Sequence, residues 1–172
     1  VNAARMGALI DDLLKLSRAS MQELKRRPTD MEALARMAAH EATEHAARPV
    51  EVVIHALPPA QGDHTLLQQV WANLIGNAVK YSRGAAAPRI EIGARRLDDA
   101  VEYYVRDNGA GFDPQQAARL FGLFQRLHSE EEFEGTGVGL ALVERIVRRH
   151  GGQVGAGSDP TTEGPRLVGD SQ

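Results

Sequence analysis

The chain has 172 residues, a formal net charge of -3 and no cysteine. That length suits one packed domain with an appendage. The mild charge gives no general attraction for nucleic acid or an anionic membrane, and the absence of thiols excludes disulfides and thiolate metal sites.

No apolar run approaches the roughly 20 residues that span a bilayer, and no secretory signal opens the chain, so a cytoplasmic location without membrane contact is expected. The sequence starts inside a helical pattern with neither Met nor a cap, and it is expected to be a piece of something longer. Residues 3–27 contain no proline and set Met6, Leu9, Ile10, Leu13, Leu14, Leu16, Met21 and Leu24 at spacings of three and four, which predicts a helix with a broad apolar face. That face calls for a partner helix, from another chain or from upstream sequence; docking on its own domain is the alternative. Pro28 ends this element, and Thr29-Asp30 opens a second, Ala-rich helix over about 30–47 with Met31, Leu34, Ala38 and Ala42 on one side. Val50–Ile54 reads as a strand, and Leu57–Gly62 as a turn-rich connection.

Asp63 is placed to cap a helix over 64–81 whose Leu66, Leu67, Val70, Leu74 and Val79 mark a buried side. Ile90, Ile92 and Ala94, then Val101, Tyr103 and Val105, alternate with polar neighbours about Asp98-Asp99, which predicts a β-hairpin over 89–107. Residues 108–139 form a long connection of the kind that serves as a functional lid. A helix follows over 139–149, closed by His150-Gly-Gly152. Val154 onward makes a poor strand. The order is a helix, then α-β-α-β-β-lid-α-β, which indicates a two-layer α/β sandwich with a mixed, mostly antiparallel sheet and about three helices on one face. A doubly wound dinucleotide fold is excluded, because its glycine fingerprint follows the first strand directly.

Three groups of residues carry chemistry. On the helix over 64–81, Asn73, Asn77 and either Lys80 or Tyr81 recur on one face. Two amide oxygens and an ammonium suit a hydrated Mg²⁺ with polyphosphate, since Mg²⁺ takes few protein oxygens; the same asparagines would also serve to bridge neighbouring backbone. Asp107 at a strand end is an acceptor for an exocyclic amine such as that of adenine, and Gly109 and Gly111 let the chain approach a flat ring. Gly135, Gly137 and Gly139 open a helix whose free N–H groups suit phosphate.

Taken together, Asn73–Ser82, Asp107–Phe112, Leu120–Arg126 and Gly135–Ala141 resemble the asparagine, first glycine, phenylalanine and second glycine boxes of sensor histidine kinases. Phe124–Ser129 and Glu132–Gly137 are similar to the phytochrome-like subgroup. The resemblance implies a Bergerat-type catalytic ATP-binding domain over 29–172 with its lid at about 108–139. It also implies that 1–28, with Leu9–Arg18, is the second helix of a dimerisation and phosphotransfer hairpin.

By that resemblance Asp107 would bind the adenine amine beside Gly109 and Gly111, and Asn73 and Asn77 would hold Mg²⁺. Lys80 would reach a phosphate and Tyr81 would line the pocket. Phe121 and Phe124 would anchor the lid, Arg126 and His128 would face the terminal phosphate, and Gly135, Thr136, Gly137, Gly139 and Leu140 would cradle the phosphates. The activity implied is transfer of the ATP γ-phosphoryl group to a histidine, for relay to a response regulator receiver domain, by a homodimer paired through the N-terminal helix. ATP hydrolases of the same superfold, and inert nucleotide-binding or dimerisation modules, are the alternatives. The hydrolases carry a glutamate base where this chain has Asn73, and an amide cannot take a proton from water.

Two departures stand out. The family's phospho-accepting histidine precedes an acidic residue and, shortly after, a proline. His40 precedes Glu41 without that proline, and His45 runs into Pro49. His55, His64, His128 and His150 fall in or beside the nucleotide domain and are expected to be mostly surface residues. The acceptor helix is therefore expected upstream of Val1, no catalytic residue is assigned within the chain, and autophosphorylation of the chain alone is not expected. Gly164–Val168 is a weak substitute for the family's aromatic closing strand, which predicts a poorly formed sheet edge there.

Overall fold

A computed structural model describes residues 3–109, 137–157 and 164–170. The first helix, α1 (Ala3–Met21), is followed by a short strand β1 (Arg27–Thr29), helix α2 (Met31–Glu44), strands β2 (Glu51–Ile54) and β3 (Ala60–Gly62), and helix α3 (His64–Tyr81). Strands β4 (Arg89–Arg96) and β5 (Ala100–Asp107), helix α4 (Gly139–Arg149), and strands β6 (Gln153–Gly157) and β7 (Gly164–Asp170) complete the order. Among the described residues no helix is long and apolar enough to cross a membrane.

The main sheet has the order β2-β4-β5-β7-β6. Strands β2 and β4 run parallel, with α3 in the crossover between them, and every other pair is antiparallel. The expected alternation appears directly. Ile90, Ile92, Val101, Tyr103 and Val105 are buried together with Met31, Leu34 and Ala35 of α2, Leu66, Val70, Trp71 and Leu74 of α3, and Leu142, Val143 and Ile146 of α4. Trp71 meets Tyr103 edge-on, with ring centroids 6.1 Å apart, a favoured arrangement of ring quadrupoles. The Tyr103 hydroxyl donates to Pro58 O at 2.7 Å. The other sheet face is polar: Arg106 donates to Glu91 at 2.8 Å and stacks over Tyr104, and Arg95 pairs with Glu102.

Three expectations need correction. Helix α1 stops at Met21, six residues before the predicted end, because its continuation has stronger tertiary partners. The Lys25 N–H is donated to Asp63 Oδ2 at 3.0 Å, and Arg27–Thr29 pairs with Ala60–Gly62 as a two-stranded ladder. Pro28, which lacks an N–H and disfavours helix at the residue before it, is compatible with such a strand. Residues 60–62, expected as turn, are therefore strand. Helix α2 likewise ends at Glu44, with His45 as its C-cap.

The C-terminal segment departs furthest from expectation. Strand β7 lies inside the sheet, paired with β5 from Ala100↔Asp170 to Tyr104↔Arg166 and with β6 from Gln153↔Val168 to Gly157↔Gly164. Ladder hydrogen bonds come from the backbone, so a strand without aromatics still closes the sheet.

Docking of the first helix on its own domain is seen at one end only. Its C-terminal end docks on α4, where Ala19 is buried and Arg149 Nη1 donates to Ala19 O at 2.7 Å. Met6, Ile10 and Leu14 nearer its start remain exposed.

Candidate functional site

Helix α3 carries the site along one side. Asp63 caps it, its Oδ1 accepting from Leu66 N at 3.1 Å, which satisfies one of the N–H groups orphaned at a helix start. Leu66, Leu67, Val70, Trp71, Leu74, Ile75, Ala78 and Val79 bury the opposite side. Asn73, Asn77, Lys80 and Tyr81 are left partly exposed, as the spacing predicts. Asn73 Nδ2 donates to Gln69 O one turn back at 2.8 Å. Bridging of neighbouring backbone thus takes the amide nitrogen and leaves the oxygen on the other side of the amide. A β-carbon on Gly139 would lie 2.6 Å from that oxygen. Asn73 Oδ1 therefore stands against the first residue of α4.

At the start of α4 the N-cap residue is Val138, whose side chain makes no cap hydrogen bond, and Gly137 precedes it at φ +78°. A glycine accepts that left-handed backbone without strain. The N–H groups of the first turn, together with the positive end of the helix dipole, form a concentrated donor set for an anion.

About 12 Å along α3 from Asn73, at the geometric rise of a helix, Tyr81 meets Gly109. A β-carbon there would fall 2.0 Å from Tyr81 O, so only glycine lets the chain pass. The Gly109 N–H is donated to Asp107 Oδ1 at 2.8 Å. This bond orients the carboxylate, a group with about four lone-pair sites in all. Asn108, between them, is a clip that the sequence reading passed over. Its Oδ1 accepts from Arg89 N at 2.9 Å and its Nδ2 donates to Ala87 O at 2.8 Å. The same 83–88 loop is held from the other side by Arg48, whose guanidinium donates to Arg83 O, Ala85 O and Ala86 O. An Asn following directly on a strand end was the available signal for Asn108; Arg48 offered none, because its partners are backbone atoms about 35 residues away.

The structure therefore brings together Asn73, Asn77, Lys80, Tyr81, Asp107, Gly109, Gly137, Gly139 and Leu140 through α3, the end of β5 and the start of α4. Gly111, Phe121, Phe124, Arg126, His128, Gly135 and Thr136, with most of the 108–139 connection, lie outside the described residues. Among the described residues no cluster of three or more His, Cys, Asp or Glu is arranged for a metal. The Asn73 amide oxygen beside the start of α4 fits Mg²⁺ delivered with a nucleotide, which needs only one or two protein oxygens.

His40, His45 and His55 are exposed, in keeping with the expectation that most histidines lie at the surface, but His150 is not. His150 is partly buried at the end of α4: Nδ1 lies 2.7 Å from Ile146 O, and Nε2 lies 2.9 Å from the Asp63 backbone N–H. Burial, with Arg26 and Arg149 nearby, pulls its pKa below the usual histidine value. Asp63 is pushed up by burial but held lower on balance by backbone N–H donors from Lys25 and Leu66.

Residues 62–168 match the family model of histidine kinase-, DNA gyrase B- and HSP90-like ATPases. The chain is 40% identical over 150 residues to cyanobacterial phytochrome A of Nostoc sp. (strain PCC 7120), covering 87% of this chain and 20% of that protein. It is 32% identical over 161 residues to the adaptive-response sensory kinase SasA of Synechococcus sp. (strain JA-3-3Ab), covering 87% of this chain and 41% of that one. The chain thus spans about a fifth of the phytochrome relatives it matches. Among solved structures, full-length ShkA in complex with AMPPNP superposes with a TM-score of 0.75 at 30% identity, over 95% of this chain and 35% of that one. The mycobacterial sensor histidine kinase MprB, at 24% identity and a TM-score of 0.69 over 84% of this chain and 95% of that one, shares the fold. The chain belongs to the family of histidine kinase-, DNA gyrase B- and HSP90-like ATPases, as a catalytic ATP-binding domain of the sensor histidine kinase kind.

Proposed function

We propose that this chain binds ATP·Mg²⁺ and presents the γ-phosphoryl group to a histidine on a dimerisation helix outside residues 1–172. Residues 1–28 would be the second helix of that hairpin, and 29–172 the nucleotide-binding domain. The end of α1 at Met21 and the start of the sandwich at Arg27 support that division. The exposed stripe of Met6, Ile10 and Leu14 supports pairing with a second copy in the longer protein. A receiver domain of a response regulator would take the phosphoryl group onward, in the cytoplasm where ATP is available.

Asp107, oriented by the Gly109 N–H, would accept the adenine amine, with Tyr81 and Gly111 beside the ring. Lys80 and the α4 start at Gly137, Gly139 and Leu140 would hold the phosphates, helped by Gly135 and Thr136. The complex of the related ShkA with AMPPNP supports this reading. Asn73 and Asn77 would hold Mg²⁺, which neutralises phosphate charge when bound. Phe121 and Phe124 would close over the nucleotide, with Arg126 and His128 toward its end. The domain's contribution is positioning and electrostatics, since phosphoryl transfer asks little covalent chemistry of the protein.

The observation that carries the reading is Asn73, whose amide oxygen stands at the start of α4. An amide there can ligate a cation but cannot deprotonate a water. The test is radiolabelled ATP with this chain, alone and with the acceptor helix restored. Acid-labile, base-stable phosphate only in the second case supports transfer. Labelling of the chain alone contradicts it, and steady-state phosphate release that disappears in Asn73→Ala would favour an ATPase.

A further inference from the structure

The hydrogen bonds of His150 determine its protonation state. Ile146 O can only accept, so Nδ1 carries a proton; the Asp63 backbone N–H can only donate, so Nε2 carries none. Only the neutral Nδ1–H tautomer satisfies both. The ring also packs closely on the backbone of Gly62, where an added β-carbon would lie 2.9 Å from His150 Cδ2. Gly62 pairs with Arg27 in the β1–β3 ladder, the first structure after α1.

The neighbouring residues converge on the same junction. Arg149 Nη1 donates to Ala19 O at the end of α1, and Arg26 Nη2 donates to Arg149 O at 3.2 Å. Lys25 N donates to the Asp63 carboxylate, whose other oxygen caps α3. The last residues of α4, the first of α3 and the segment leaving α1 are thus tied at one point. That point lies at the opposite end of α4 from Gly139, on the order of 16 Å away by helix geometry.

We propose that His150 is a positioning residue: its neutral ring locks the ends of α3 and α4 to the β1–β3 ladder and so fixes α1 against the nucleotide-binding sandwich. The proposal goes beyond the phosphotransfer reading and does not rest on it. The charges bearing on the ring are Asp63 at the α3 start, Arg149 on α4 and Arg26 on the α1–β1 segment. Protonation removes the acceptor for the Asp63 N–H and adds a third cation beside two arginines, so the junction loosens on acidification. A histidine whose folded pKa is lowered imposes no penalty above its ordinary value of about 6.5, and stability falls as pH drops below that.

The absence of native cysteines allows a clean spin-label pair, Gly7→Cys on α1 and Asp98→Cys at the β4–β5 turn. Distance distributions are measured from pH 8 to pH 5 for the otherwise native chain, H150Q and H150A. Gln offers an acceptor that does not titrate. The expected result is one narrow distance at pH 8 for the native chain and H150Q, loss of that peak below pH 6.5 in the native chain only, and loss at every pH in H150A. Ring nitrogen chemical shifts at pH 8 should report the Nδ1–H tautomer.

An Nε2–H tautomer overturns the proposal, as does a native distribution unchanged while the ring protonates, or H150A as narrow as the native chain. AMPPNP affinity retained in H150A shows that the sandwich is still folded when α1 is released. Absence of nucleotide binding in all forms would strike the functional reading and leave this one standing.

Discussion

Gly109 passes so close to Tyr81 that a β-carbon on it would stand 2.0 Å from the tyrosine carbonyl oxygen. The obstacle is backbone near the end of α3, which no rotamer change relieves. Gly109→Ala should therefore destabilise the fold by about 1–3 kcal/mol, the usual cost of forced overpacking. It should also weaken ATP, because Asp107 Oδ1 is oriented by the Gly109 N–H. Thermal unfolding and calorimetric titration with an ATP analogue read the two effects separately.

Gly139→Ala should behave differently. Its β-carbon would meet Asn73 Oδ1 at 2.6 Å, the movable end of a side chain. Alanine also favours a helix by up to about 1 kcal/mol over glycine. The melting temperature should stay near that of the parent, while ATP·Mg²⁺ affinity falls about tenfold, the equivalent of one displaced polar contact. A lower melting temperature with unchanged affinity would remove Asn73 from the metal site.

Asp107→Asn tests the base-recognition end. Loss of a charged hydrogen bond to an exocyclic amine is worth about 1.5–3 kcal/mol, or roughly one to two decades in affinity. ATP should lose that much and GTP far less. Equal losses would assign Asp107 to support of the fold alone.

Tyr103 gives an alkaline signature. Burial pushes its pKa up to about 12 from the ordinary 10, and its hydroxyl donates to Pro58 O. The folded state holds that proton more tightly, so the stabilisation is full below pH 10 and is lost as pH rises toward 12. Tyr103→Phe should cost about 1 kcal/mol at neutral pH by orphaning Pro58 O, and should flatten the loss between pH 10 and 12. Denaturant melts at pH 7, 10 and 11.5 measure both.

The sandwich core was legible because it is written in local period. Alternation at Ile90, Ile92, Val101, Tyr103 and Val105, and three- and four-residue spacing along α3 and α4, specify element type and buried face before any long-range contact is known. The candidate site residues could be read for related reasons: Asn73 and Asn77 recur on one face of α3, while Asp107, Gly109, Gly137 and Gly139 sit at element ends where backbone geometry favours particular residue types. The sequence by itself thus determined the layers, the buried faces and which residue types stand along α3 and at the start of α4. Only the tertiary structure decided where α1 stops, that Arg27–Thr29 pairs with Ala60–Gly62, that β7 enters between β5 and β6, and that His150 closes the far end of α4. Those outcomes rest on hydrogen bonds to backbone groups of segments distant in the chain, and such bonds leave no periodic mark in the sequence.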